Sequence, residues 1–114
     1  MNSIARLVCA TGLVCVAAFH PQVSAAEGFT GADFAAWPEA SQDSYIQTSV
    51  TMAGVVLAQV RPDMSRCIDG WYFASDDMAA RNKAVRNLIA ANSSYHPSGV
   101  ILAAIQQACG SIKR

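Results

Sequence analysis

Between positions 38 and 60, apolar or small side chains recur at three- and four-residue spacing: Tyr45, Ile46, Ser49, Met52, Ala53, Val56, Leu57 and Val60. That period gathers them on one face of an α-helix, and Val50 and Val55 widen the face. Pro38 suits a first helical turn, Glu39 and Asp43 sit near the positive end of the helix dipole, and Arg61 sits near the negative end. The pattern predicts one long helix over 38–60. Upstream, Thr30-x-x-Asp33 resembles a capping box with Asp in place of Glu. It opens a short segment around Phe34 that Trp37-Pro38 ends, because proline removes a donor and disfavours helix in the residue before it.

Arg61-Pro62 stops the long helix and starts the next. Met64, Cys67, Ile68, Trp71 and Tyr72 then fall on one helical face, with Gly70 the weak point of the segment. A fourth helix is expected after a Ser75 cap, with Asp76 and Asp77 in its first turn. Met78, Val85, Leu88 and Ile89 line its apolar side, and Arg81, Lys83 and Arg86 its solvated side. Asn92-Ser93-Ser94 stops it. His96-Pro97-Ser98 starts a last helix carrying Val100, Ile101, Ala104, Ile105, Ala108 and Cys109, and Gly110 suits the position just past its end. No alternating run, repeat or low-complexity tract occurs. The fold class is therefore all-α, a small bundle of about four to five helices.

Residues 1–26 follow another logic. Arg6 is a basic start, Leu7 to Phe19 is an uncharged apolar run of 13 residues, His20-Pro21 breaks it, and Ser24, Ala25 and Ala26 are small. This is the layout of a secretory signal peptide, too short for a bilayer core that needs about 20 residues, with cleavage after Ala25 or Ala26. Residues 1–26 are thus expected to be a leader and 27–114 a single helical domain, periplasmic or secreted. No membrane insertion is expected after cleavage.

Taking the leader away alters the chemistry. Cys9 and Cys15 leave with it, so Cys67 and Cys109 are the two cysteines of the exported domain. An oxidising compartment favours a Cys67–Cys109 disulfide, which would tie the third segment to the last. Closing a loop of that size stabilises a fold by about 4 kcal/mol, a large share for so small a domain.

Composition narrows the function classes. The whole chain has 8 basic and 8 acidic residues and 53% hydrophobic residues, which excludes disorder and the basic footprint of a nucleic-acid binder. Residues 27–114 contain one histidine, His96, where capping explains it, and the adjacent Asp76 and Asp77 suit a helix start. No nucleophile elbow, zinc-helix motif or phosphate loop is present. The expectation is a non-enzyme without cofactor or metal. A helix cannot turn Trp71, Tyr72 and Phe73 all inward, so Phe73 is the one left for solvent or a partner. Phe73, Arg81, Lys83 and Arg86 form the candidate partner surface. Residues 27–63 carry five acids and one base, and residues 64–114 three acids and six bases. Such a two-signed surface can steer a protein partner or promote head-to-tail association, a homodimer included.

The size, the single disulfide and two short motifs give a resemblance. Gly31-Ala32-Asp33-Phe34, and His96-Pro97-Ser98-Gly99-Val100 leading to Cys109, resemble segments of HdeA-type acid-stress chaperones. The His-Pro start and terminal cysteine are also similar to Tai-type immunity proteins, which neutralise secreted cell-wall-degrading toxins. Ala32 stands where HdeA-type chains carry their first cysteine, and immunity proteins usually have further cysteines, so no functional residue transfers. The resemblance implies a periplasmic binding or chaperone-like protein with an acid-stress role, or alternatively an inhibitor of one exported hydrolase. Protonation of Asp33, Glu39, Asp43 and Asp63 would supply the acid response.

Overall fold

The structure, a computed structural model, describes residues 28–74 and 76–113; the expected leader and the expected Ser75 cap lie outside the described residues. Among the described residues five α-helices follow one another: α1 Gly31–Ala35, α2 Glu39–Val60, α3 Pro62–Ile68, α4 Met78–Ala91 and α5 Pro97–Cys109. No strand occurs among the described residues. The all-α class read from the sequence holds.

Each start has a local cause. Thr30 and Asp33 form a reciprocal capping box, with the Thr30 amide donating to Asp33 Oδ2 at 3.0 Å and the Asp33 amide to Thr30 Oγ1 at 3.4 Å. The next two amides, of Gly31 and Ala32, donate to the carbonyls of Tyr95 and Ser93, so the loop before α5 completes the cap of α1. This close crossing requires glycine: a Cβ on Gly31 would lie 2.9 Å from both the Ile89 carbonyl oxygen and the Ser93 Cα. Pro38 caps rather than begins α2. His96 caps α5 through Nδ1, which accepts from the Ser98 amide at 3.1 Å, and Gly110 ends it at a φ of +96°.

Two boundaries differ from expectation. The fourth helix is capped by Asp77, whose Oδ1 accepts from the Ala80 amide at 3.0 Å, so Asp76 and Asp77 precede the helix rather than fill its first turn. The third helix does not run on as an α-helix through Tyr72. It widens into a π-helical turn over Asp69–Phe73, closed by the Ala74 amide on the Asp69 carbonyl at 2.7 Å. Gly70 sits inside this wider loop.

The core is built from one row per helix. Ile46, Val50 and Leu57 come from α2, Met64 and Ile68 from α3, and Tyr72 from the π-turn; Val85 and Ile89 come from α4, and Val100, Ile101 and Ile105 from α5, with Phe34 closing one end. Cys67 and Cys109 form the disulfide, with Cα atoms 5.8 Å apart across 42 residues, and so fasten α3 to the last residue of α5. No described helix is long and apolar enough to cross a membrane.

Candidate functional site

The long helix α2 carries more apolar side chains than the bundle can cover. Its buried row is Ile46, Val50 and Leu57, with Ala53 half-buried between them. Met52, Val56 and Val60, expected to share that row, and Val55, expected to widen it, point outward with 60%, 54%, 54% and 57% of their surface exposed. The reason lies in the sequence. From Ser44 to Val60 no charged residue occurs, so apolar groups occur nearly all round the helix and only one side meets α3, α4 and α5. The exposed row borders a shallow groove of about 500 Å³ between α2 and α5, lined in part by Tyr45, Met52, Ile101 and Leu102. Leu102 is itself an exposed apolar side chain.

A second groove follows the seam between α4 and α5. One part, about 480 Å³, is lined by Leu88, Val100, Ala103 and Ala104, with Asn92, Tyr95 and His96 at one end. The other, about 230 Å³, reaches Trp71 and Arg81 and shares Leu88, Ala104 and Gln107 with the first. The two form one trough along the seam.

The residues singled out from the sequence are distributed among different duties. Phe73 is half-buried, packed against the core edge-on to Tyr72 with ring centroids 4.9 Å apart. Arg81 is half-buried too: its Nε–H donates to the Trp71 carbonyl at 3.0 Å and its guanidinium lies 5.4 Å from the Trp71 ring centre. Arg86 turns to α2, where it pairs with Asp43 and, at 3.6 Å, with Glu39. Lys83 alone of the four is exposed. Arg81, Lys83 and Arg86 are therefore not one solvated face; α4 lies between two neighbours, and each arginine reaches a different one. Part of the charge asymmetry along the chain is likewise settled internally, since Arg86 of the basic half holds two acids of the acidic half.

One further acid, Asp63, is engaged as well. Asp63 binds Arg61 through two bonds of 2.9 and 3.1 Å, and the Arg61 hydrogen bond holds its carboxyl down to about 2. Arg61 in turn donates to the Ile112 carbonyl at 3.1 Å and the Ser111 carbonyl at 3.4 Å, which clamps the α2–α3 corner to the C-terminal tail. His96 caps its helix, and its ring meets Phe29 edge-on at 5.4 Å. Among the described residues no group of three His, Cys, Asp or Glu is placed to hold a metal ion.

Sequence reasoning missed the outward row of α2 and the Trp71–Arg81 pair. The uncharged run from Ser44 to Val60 was a usable signal for the first; nothing local announces the second. No family model, curated protein or solved structure matches this chain.

Proposed function

We propose that this chain is an exported, non-enzymatic protein-binding module of chaperone-like character, whose contact surface for apolar segments of partly unfolded proteins is the outward row of α2. The observation that carries the reading is that row: Met52, Val55, Val56 and Val60 stand in water on a bundle whose core is otherwise closed. A contiguous apolar strip on a small soluble surface commonly marks an interaction site. A disulfide that fastens α3 to the end of α5 suits a protein working in an oxidising compartment.

Acid is the proposed trigger. Asp33 completes the cap of α1, Glu39 and Asp43 tie α4 to α2 through Arg86, and Asp63 fixes the Arg61 clamp. Of these, Asp63 is held down to about 2 by its hydrogen bond from Arg61, so acidification toward that value removes a tie at the α2–α3 corner and loosens the packing beside the apolar face of α2.

The test is suppression of client aggregation and dye binding at neutral pH and between about pH 2 and 4, the range in which carboxylates protonate. Wild-type protein protects clients on acidification, while Met52→Asp and Val56→Asp keep the fold, because both positions are exposed, and lose protection. Unchanged dye binding and no protection at any pH would overturn the reading. Affinity capture of one stoichiometric exported partner would instead assign the chain as a dedicated inhibitor, such as an immunity protein against a secreted toxin or cell-wall hydrolase.

A further inference from the structure

The trough between α4 and α5 has a chemistry of its own, separate from the α2 face. Its walls are mainly Ala84 and Leu88 from α4 and Val100, Ala103 and Ala104 from α5, with Gln107 the polar side chain that both parts share. No carboxylate lines either part. One end holds Arg81, and that arginine is unusual in this molecule. It is half-buried and stacked on Trp71, with Nε committed to the Trp71 carbonyl, yet no carboxylate lies within ion-pair reach of it among the described residues. Arg61 and Arg86, by contrast, both hold acids. A guanidinium withdrawn from water and left without a counter-charge favours an incoming anion.

We infer that the trough is a binding site for an anionic amphiphile, a medium-length fatty carboxylate, with its hydrocarbon chain along the α4–α5 seam and its carboxylate on the outer N–H groups of Arg81. Three features select this occupant. The apolar lining matches a hydrocarbon chain, and the single cation at one end matches a single terminal anion. The seam from Arg81 to Asn92 spans about 16 Å at helical rise, the reach of a medium-length acyl chain. Both walls are helices whose amides and carbonyls are bonded within the helices, so they offer no backbone partners to an extended peptide, whereas a hydrocarbon has no polar groups to satisfy.

The probe is dodecanoate below its micellar concentration, titrated calorimetrically into the disulfide-bonded protein at neutral pH. Parallel titrations use dodecanol, dodecyltrimethylammonium, acetate and an apolar peptide with a free C-terminal carboxylate. Saturable one-to-one binding of dodecanoate is expected, at least tenfold tighter than dodecanol or the cationic amphiphile, with acetate inert. Arg81→Gln weakens it at least tenfold and Arg81→Lys restores most of it. Ala103→Trp, at an exposed position that fills the trough without entering the core, abolishes it while leaving the melting transition in place. No saturable binding, equal binding of all three amphiphiles, indifference to Ala103→Trp, or binding of the peptide but not of dodecanoate would each overturn the proposal. None of these results bears on the α2 variants, so the two readings stand or fall separately.

Discussion

The Tyr72 hydroxyl donates a 2.6 Å hydrogen bond to Asn82 Oδ1 in a core otherwise made of apolar side chains. Asn82 is the buried polar side chain of α4, and Tyr72 comes from the wide π-turn that follows α3. From that turn the Tyr72 ring enters the core and its oxygen reaches α4.

Removing one partner leaves the other buried without a bond, which costs about 1–3 kcal/mol. Tyr72→Phe is expected to lose that amount in denaturant unfolding, and Asn82→Leu a similar amount. The double variant should be destabilised by less than the sum, because neither polar group is then left over. Additive losses would show that the bond does not couple the two residues.

The same burial, reinforced by the negative charge of Asp43 and opposed by the Asn82 bond, raises the Tyr72 phenol above its usual value. A group whose folded-state value is raised adds stability that is complete below the unfolded value and is lost as pH climbs through the folded one. Stability should therefore fall above about pH 10, the ordinary tyrosine range. In Tyr72→Phe this alkaline slope should be shallower.

The Asp63 carboxyl has the opposite sign. Held down to about 2 by Arg61, it contributes stability that is present above the unfolded value of 3.8 and disappears as pH falls toward 2. Melting temperature followed from pH 5 to pH 2 should drop less steeply in Asp63→Asn than in the wild type, and Arg61→Gln should flatten the same window.

Cys67 and Cys109 close a separation of 42 residues. Reduction, or the Cys67→Ser and Cys109→Ser pair, is expected to cost about 4 kcal/mol. Equilibrium unfolding with and without reductant measures this directly, and the reductant should have no effect on the double variant.

Gly31→Ala places a methyl against two backbone groups, the Ile89 carbonyl and the Ser93 Cα, neither of which can rotate away. The overpacking should cost about 1–3 kcal/mol. Gly70→Ala, where a Cβ would meet nothing within 4 Å, should leave the melting temperature the same or slightly higher.

What could be read without coordinates was whatever is local or uniquely constrained. The helical periods, the Thr30–Asp33 box, the His96 cap and the Gly110 stop depend on neighbours within a few residues, and physical chemistry of that range is written in order along the chain. The disulfide was legible for a different reason: two cysteines after the expected leader leave one pairing. The packing choices belonged to the tertiary structure. Because α2 is apolar on more than one side, periodicity could not choose which row the bundle covers, and the outward turn of Met52 and Val56 follows from where α3, α4 and α5 lie. The Arg86–Asp43 pair joins residues 43 positions apart, and Arg81 of α4 reaches the carbonyl of Trp71 in the π-turn, 10 positions away. Long flexible cations look alike in a sequence whether they meet water or a neighbour, and only the packed chain decides which.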